Sequence, residues 1–293
     1  MRDNSQDATV DRTPAQIMME RETRLSYGPV PHALLEHEVP EMNWQMRGDR
    51  FLLRAPGDHY FHYRKGEGIT IERGAGADIS EESLWLNGSV YAAVASMNGL
   101  LPIHASAVAF DGAVYAFTGG AGSGKSTLAA ALGNHGLPMF CDDTLVMDLS
   151  DPTTITCLPG HKRLKLKADA VEMTRASPQE KVSLTVDKFY AAPPGGDIRV
   201  AMPLARLFIL EEGAPPQVVP ITGGERMKRL QDDHYTADLF SVARSYGRAD
   251  GFVHLSRLAS QIDLARFVRP RDRSRFGETV AMVADHIMDG GRY

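Results

Sequence analysis

Residues 119–126 read GGAGSGKS and match the pattern G-x-x-x-x-G-K-[ST] in full. The run before them, 113–118, has the apolar and aromatic residues typical of a strand, and the Ala- and Leu-rich run 126–134 after them is typical of a helix. A strand before the pattern and a helix after it form the context that the pattern needs. The sequence therefore predicts a phosphate-binding loop inside an α/β fold.

Glycine is needed in this loop because backbone N–H groups must converge on phosphate oxygens at distances that a Cβ atom would obstruct. The start of the following helix adds its partial positive charge. Lys125 can reach the β- and γ-phosphates, and the Ser126 hydroxyl can bind Mg²⁺. The residues expected to bind the phosphates of a nucleotide are Gly119, Gly120, Ala121, Gly122, Ser123, Gly124, Lys125, Ser126 and Thr127. A glycine-rich connection without a ligand is the alternative.

Two adjacent carboxylates, Asp142 and Asp143, follow a predicted strand over 137–141. Ligands of α/β sheets collect at this end of a strand, so the pair should meet the phosphate loop. Neighbouring carboxylates repel unless a cation neutralises one of them. We assign Asp142, with Ser126, to Mg²⁺ and Asp143 to the catalytic base, although the sequence does not fix which is which. Two turn acids that cap the next segment are the alternative.

The chain divides into three predicted regions. Residues 1–25 are polar and predict a mobile arm with a short helix near 15–19. Residues 26–99 predict a β-rich portion that ends in a buried helix over 81–98. In the core, 100–293, strands 103–110 and 113–118 are joined by a hairpin turn at Asp111 and Gly112. The predicted fold is α/β: a mixed sheet carries the loop, helices flank it, and the β-rich portion packs against it.

Further elements are predicted along the rest of the core. The predicted strands are 154–158, 163–167, 182–186 and 207–210. The predicted helices are 224–230, 237–246, 255–259 and 278–288.

Composition narrows the function classes. A net charge of −5 gives no global basic field for nucleic acid or an anionic membrane. The two cysteines build neither a disulfide framework nor a four-ligand zinc site. The N-terminus lacks the features of a signal peptide, and no run reaches the roughly 18 apolar residues of a membrane span. A cytoplasmic protein is expected, and its oligomeric state, including a homo-oligomer, is left open.

Two basic stretches and three separate basic residues are further candidates for binding an anion. In the predicted strand 163–167, the side chains of Arg163, Lys165 and Lys167 share one face, and they could bind phosphate or the acidic end of a peptide. A solvated strand face is the alternative there. The arginine-rich run 266–275 favours a solvated loop, because Pro270 and Asp272 interrupt it. The remaining candidates are weaker: they are Arg244, Arg248 and Lys188.

The stretch 101–148 resembles the catalytic core of the HPr kinase/phosphorylase superfamily, particularly its smaller kinase-like relatives. The matching features are His104 on a strand, the loop 119–126, and the paired Asp142 and Asp143. The resemblance implies a P-loop kinase core that uses ATP and Mg²⁺ to phosphorylate a hydroxyl, often a serine of a protein or peptide. Asp143 would then take the hydroxyl proton, Lys125 would neutralise charge, and His104 would lie near the phosphates. A structural role is the alternative for this histidine.

The chain also departs from the bifunctional enzymes of that superfamily. Their glycine-rich signature with its glutamate metal ligand and their C-terminal helices are not found, so regulation of HPr is not expected. Relatives that lack these features include enzymes beside lasso-peptide biosynthesis genes, and this resemblance implies phosphorylation of the C-terminal serine of a precursor peptide. A small-molecule kinase and a nucleotide-driven switch or ATPase are the rival functions.

Overall fold

The structure is a computed structural model and describes residues 12–34, 43–161, 164–182, 188–194, 198–231 and 248–290. It is a mixed α/β fold with a five-stranded, an eight-stranded and a three-stranded sheet. Within the described residues, no helix has both the length and the apolar character needed to cross a bilayer.

The N-terminal part begins with a helix and continues into the five-stranded sheet. Its elements are α1 (Pro14–Glu22), β1 (Leu25–Tyr27), β2 (Trp44–Arg47), β3 (Arg50–Ala55), β4 (His59–Arg64) and β5 (Gly68–Glu72). The strand order is β1-β5-β4-β3-β2, in which β1 is parallel to β5 and the other pairs are antiparallel. This sheet is the β-rich portion that the sequence predicts.

Helix α1 contains the short helix predicted near 15–19, but it packs against the sheet and is not a mobile arm. A capping box formed by Thr13 and Gln16 begins the helix, and Met19 is buried against the sheet. Glu22 is fully buried, and its carboxylate accepts hydrogen bonds from the Tyr63 hydroxyl and the Gly66 N–H, both at 2.7 Å. The polar residues of this segment therefore attach α1 to the sheet, which composition could not show.

The predicted helix over 81–98 is present but consists of several short pieces. They are a 3₁₀ turn (Ile79–Glu81), α2 (Glu82–Trp85), a π-helical turn (Leu86–Val90) and α3 (Tyr91–Met97). The irregularity lies at Gly88, whose φ and ψ of −100° and −105° are not helical. Helix α3 is buried between β3, β4 and the large sheet, where Val146 and Leu158 join the same core.

The rest of the chain alternates strands with helices. The elements are β6 (Leu101–Phe110), β7 (Ala113–Thr118), α4 (Lys125–Gly133), β8 (Met139–Cys141), β9 (Thr144–Asp148), β10 (Thr156–Leu158), β11 (Leu164–Leu166), α5 (Ala168–Thr174), β12 (Ser177–Lys181), β13 (Phe189–Ala192), β14 (Met202–Glu212), β15 (Gln217–Pro220), α6 (Gly224–Gln231), α7 (Arg248–Gln261), β16 (Leu264–Arg269) and α8 (Phe276–Met288). The large sheet has the order β10-β9-β6-β7-β14-β16-β15, with β8 also paired to β6.

Strand direction in the large sheet decides where a site can form. β14 is parallel to both β7 and β16, whereas β6 is antiparallel to β7 and β8 is antiparallel to β6. The C-terminal ends of β7, β8, β14 and β16 therefore lie at the same edge. The predicted hairpin joins β6 to β7, and its turn residues Asp111 and Gly112 have φ of 47° and 72°.

Helices cover both faces of this sheet. On one face, α4 and α8 pack against Phe117, Phe208 and Phe267. On the other face, α6 and α7 pack against Leu207 and Ile209. Neighbouring residues of β14 thus belong to opposite cores, as the two-residue period of a strand requires.

Most of the later predictions match these elements. The predicted strands 154–158, 163–167 and 207–210 overlap β10, β11 and β14, and the helices 224–230, 255–259 and 278–288 overlap α6, α7 and α8. The predicted helix 237–246 and positions 183–186 of the predicted strand 182–186 lie outside the described residues. The sequence did not predict the core elements β9, α5, β12, β13, β15 and β16.

Candidate active site

A cavity of about 530 Å³ lies at the edge where β7, β8, β14 and β16 end. It is bounded by the loop 122–127, the aspartate pair after β8, the start of α5 and the segment after β16. Sites of α/β sheets form at this carboxyl edge, because the loops that follow parallel strands meet there. The cavity therefore contains the predicted phosphate loop and both predicted aspartates.

Three glycines give the loop its shape. Gly119, Gly122 and Gly124 have φ of 154°, 75° and 86°, in the region that residues with a Cβ atom avoid. A Cβ at Gly119 would lie 3.2 Å from the Leu210 carbonyl oxygen. Helix α4 starts directly after the loop, so its N-terminus faces the cavity.

The ammonium of Lys125 lies under the loop. The side chain donates hydrogen bonds to the carbonyl oxygens of Gly119 and Gly120, at 2.8 and 3.3 Å, and the residue is 6% exposed. Burial lowers the pKa of Lys125 to about 8, although the charges of Asp142 and Asp143 oppose the shift. This lysine is a partly desolvated cation beside two carboxylates.

The two aspartates have different partners. Asp142 is almost fully buried, and one of its carboxylate oxygens accepts a hydrogen bond from the Ser106 hydroxyl at 2.6 Å. Asp143 has a φ of 70°, and its carboxylate lies 2.8 Å from Lys165 Nζ and 3.5 Å from His104 Nδ1. The structure therefore holds both carboxylates in fixed but distinct surroundings.

The charge state of Asp143 depends on its cationic partner. Burial would raise the pKa of Asp143, but the opposing charges and hydrogen bond, above all from Lys165, hold the pKa below its usual value. Burial lowers the pKa of His104, and the nearby Lys125 lowers it further. His104 Nδ1 also lies 2.8 Å from the backbone oxygen of Asp143. The arrangement favours an ionised Asp143 beside a neutral imidazole.

The basic strand face is partly as predicted. Leu164 and Leu166 are buried while Lys167 is exposed at the cavity, so the predicted alternation is confirmed. Lys165 does not belong to a solvated row, because its side chain is 9% exposed and is paired with Asp143. Arg163 lies outside the described residues.

The prediction of a solvated loop for 266–275 is wrong at its start. Arg266 and Arg269 lie on β16. Arg269 is 9% exposed and donates a hydrogen bond to the Ser123 carbonyl of the predicted phosphate loop. Arg271 approaches the Gly122 carbonyl at 3.4 Å. The run 264–269 reads LARFVR and ends just before Pro270, and its four apolar residues could have predicted a short strand.

The lining of the cavity is rich in positive charge. Its four carboxylates are Asp142, Asp143, Asp169 and Asp272, and its seven lysines and arginines are Lys125, Lys165, Lys167, Lys188, Arg269, Arg271 and Arg273. The whole chain has the opposite sign, with a net charge of −5. A local excess of cations in an acidic protein favours an anionic ligand.

Comparisons with known proteins give a distant structural likeness and no match in sequence. No protein-family model matches the chain, and no curated protein sequence matches it. Among solved structures, the chain is similar to the HPr(Ser) kinase/phosphatase from Coxiella burnetii, with 12% sequence identity and a TM-score of 0.35. The match covers 64% of this chain and 89% of the other. With so low a TM-score, the chemistry of the cavity rests on the residues of this chain.

Proposed function

We propose that this chain is an ATP- and Mg²⁺-dependent kinase that transfers a phosphoryl group to a hydroxyl, in particular to a serine of a peptide or protein. One observation carries the proposal: a single cation-rich cavity brings together Lys125, Ser126, Asp142 and Asp143. Phosphoryl transfer needs these groups because its catalysis consists mainly of positioning and charge neutralisation.

Magnesium fits the oxygen donors of the cavity. Ser126 and Asp142 would hold the ion, and a bound Mg²⁺ neutralises negative charge on the β- and γ-phosphates. Among the described residues, no three His, Cys, Asp or Glu side chains form a metal cluster. Mg²⁺ fits such a site, because it commonly takes one or two carboxylates and completes its shell with phosphates and water.

Asp143 is the base in this proposal. Its carboxylate lines the cavity, and the low pKa caused by Lys165 keeps it ionised at neutral pH. An ionised carboxylate can accept the hydroxyl proton as the phosphoryl group transfers. Lys125 and the N–H groups of the loop would stabilise the negative charge on the transferred group.

One feature of the cavity rim supports a particular class of acceptor. Lys167 is exposed there, and a cation at that place can bind the carboxylate of a peptide whose last residue is serine. Binding the carboxylate would aim the adjacent hydroxyl at the γ-phosphate. We therefore favour a peptide with a C-terminal serine, such as a lasso precursor peptide, over a free small molecule.

Mass spectrometry tests this proposal directly. Incubating the protein with ATP, Mg²⁺ and a serine-ended peptide should add one phosphate, and amidating the C-terminus should reduce the yield. Phosphorylation of free nucleosides or sugars without any peptide product would favour a small-molecule kinase. Hydrolysis of ATP at the same rate with and without acceptor would favour a nucleotide-driven switch.

A further inference from the structure

Arg269 is the last residue of β16 and reaches the phosphate loop from the side. Only 9% of the residue is exposed, and its guanidinium donates a hydrogen bond to the Ser123 carbonyl. A Cβ atom at Gly124 would lie 2.7 Å from Arg269 Nη2, so the two segments are in close approach. The guanidinium is therefore held beside the loop and lines the cavity.

The charge of Arg269 has no partner within the described part of the chain. No described carboxylate forms an ion pair with it, and its side chain makes no other hydrogen bond to a described residue. Burial lowers the pKa of Arg269, and the positive charge of Arg271 lowers it further. A buried charge without a counter-ion destabilises a fold.

Residues that follow Arg269 differ from it. Arg271 is paired with Glu212 at 3.2 Å, and Arg273 is paired with Asp169. Both side chains are well exposed. Arg269 alone among these three is both buried and without a carboxylate partner in the described residues.

We propose that Arg269 is an anion-binding residue whose counter-ion is a phosphate of the bound nucleotide. This inference rests on the proposed function, because the phosphate loop must hold that nucleotide. The guanidinium carries more donors than the Ser123 carbonyl uses, and its planar fork suits two oxygens of one phosphate. The chain thereby supplies from its own sheet an arginine that other nucleotide-binding proteins receive from a partner.

A purely structural role would have the opposite signature. If Arg269 served only to fasten the end of β16 to the loop, its removal would lower the melting temperature of the free protein and leave nucleotide affinity unchanged. If its partner is the phosphate, removal relieves an unpaired buried charge in the free protein. The free protein should then melt no lower than the wild type, and nucleotide affinity should fall.

The experiment compares Arg269→Met with Arg206→Met, which removes another buried arginine on a strand of the same sheet. Arg206 is 6% exposed and is paired with Asp263. Melting temperatures are measured without ligand, and the Kd of ATP·Mg²⁺ is measured by calorimetry well below all melting points. Arg269→Met should melt no lower than the wild type and bind about tenfold or more weakly. Arg206→Met should melt lower and bind normally.

The conservative variant Arg269→Lys should bind with intermediate affinity, because the charge remains but the fork is lost. An unchanged Kd in Arg269→Met overturns the inference, whatever its melting temperature. If the wild type itself binds no ATP·Mg²⁺, the proposed function fails. Arg269 is then judged with inorganic tripolyphosphate as the probe, and equal binding or no binding by wild type and Arg269→Met overturns the inference too.

Discussion

Two buried arginines at the two ends of the sheet have opposite surroundings. Arg206 on β14 donates to the carboxylate of Asp263, which directly precedes β16, and to the imidazole of His286. Its guanidinium also lies 5.8 Å from the ring centroid of Phe208. Arg269, at the other end of β16, reaches only a carbonyl of the phosphate loop among the described residues.

Under the proposed function, this difference separates an end of the sheet that is built for stability from an end that binds a ligand. At the end with Asp263, the protein supplies the counter-charge itself and links β14 to α8 through His286. At the end with the phosphate loop, glycines adopt left-handed conformations and cations outnumber carboxylates. Groups at the second end should therefore matter more for activity than for folding.

Replacement of the proposed base should have the largest effect at the ligand end. Asp143→Asn keeps a hydrogen-bonding side chain but cannot accept a proton, so transfer should fall by about 10²–10⁴-fold. The Kd of ATP·Mg²⁺, measured by calorimetry, should stay unchanged. Asp142→Asn is the matched variant, and its activity should need a higher Mg²⁺ concentration. The opposite pattern in the two variants would exchange their roles.

Lys125→Ala should reduce transfer by about 10²–10³-fold, because a cation positioned for the transition state is lost. The ammonium is buried and its pKa is lowered to about 8, so its charge adds little to the stability of the fold. The variant should therefore melt close to the wild type, unlike Arg206→Met. Activity and thermal melting of one preparation provide the check, and wild-type turnover would refute the phosphate-loop assignment.

Sequence patterns predicted the parts of this comparison that depend on neighbouring residues. The loop motif, the hairpin before it and the alternation of Leu164 and Leu166 each involve residues that are only a few positions apart. The contact of Arg269 with Ser123 joins residues 146 positions apart and depends on the parallel pairing of β14 with β7 and β16. A local sequence pattern can predict the strand that carries Arg269, but it cannot predict that this strand ends beside the loop.

The ion pair at the base was missed for a similar reason. Lys165 lies on β11 of the small three-stranded sheet, whereas Asp143 follows a strand of the large sheet. The alternation of β11 predicted which face Lys165 occupies but not which group lies opposite it. The group opposite Lys165 depends on how β11 packs in the fold, where Leu164 and Leu166 share a core with residues of α4.

Lys165→Met should shift the pH dependence of transfer. In the wild type, Lys165 holds the pKa of Asp143 below its usual value, so the base stays ionised into acidic solution. Without this cation, burial raises the pKa, and the acid limb of kcat/KM should move up by about one pH unit or more. The ion pair contributes stability that is lost as the pH falls through the lowered pKa of Asp143. Acid should therefore reduce the stability of the wild type more than that of Lys165→Met. Coincident pH profiles would mean that Asp143 is not the titrating base.

The smallest expected effect concerns Lys167, at the rim of the ligand end. The side chain is exposed, and exposed ion pairs contribute about 1 kcal/mol or less, so Lys167→Glu should raise KM for a serine-ended peptide by roughly fivefold with little change in kcat. The same peptide with an amidated terminus already lacks the carboxylate, so the substitution should leave its KM unchanged. These four KM values form a double-mutant cycle that isolates the contact between side chain and terminus. If Lys167→Glu raises KM equally for both peptides, Lys167 does not contact the terminal carboxylate, because the amidated peptide lacks that group. Such a result would place Lys167 against the nucleotide instead.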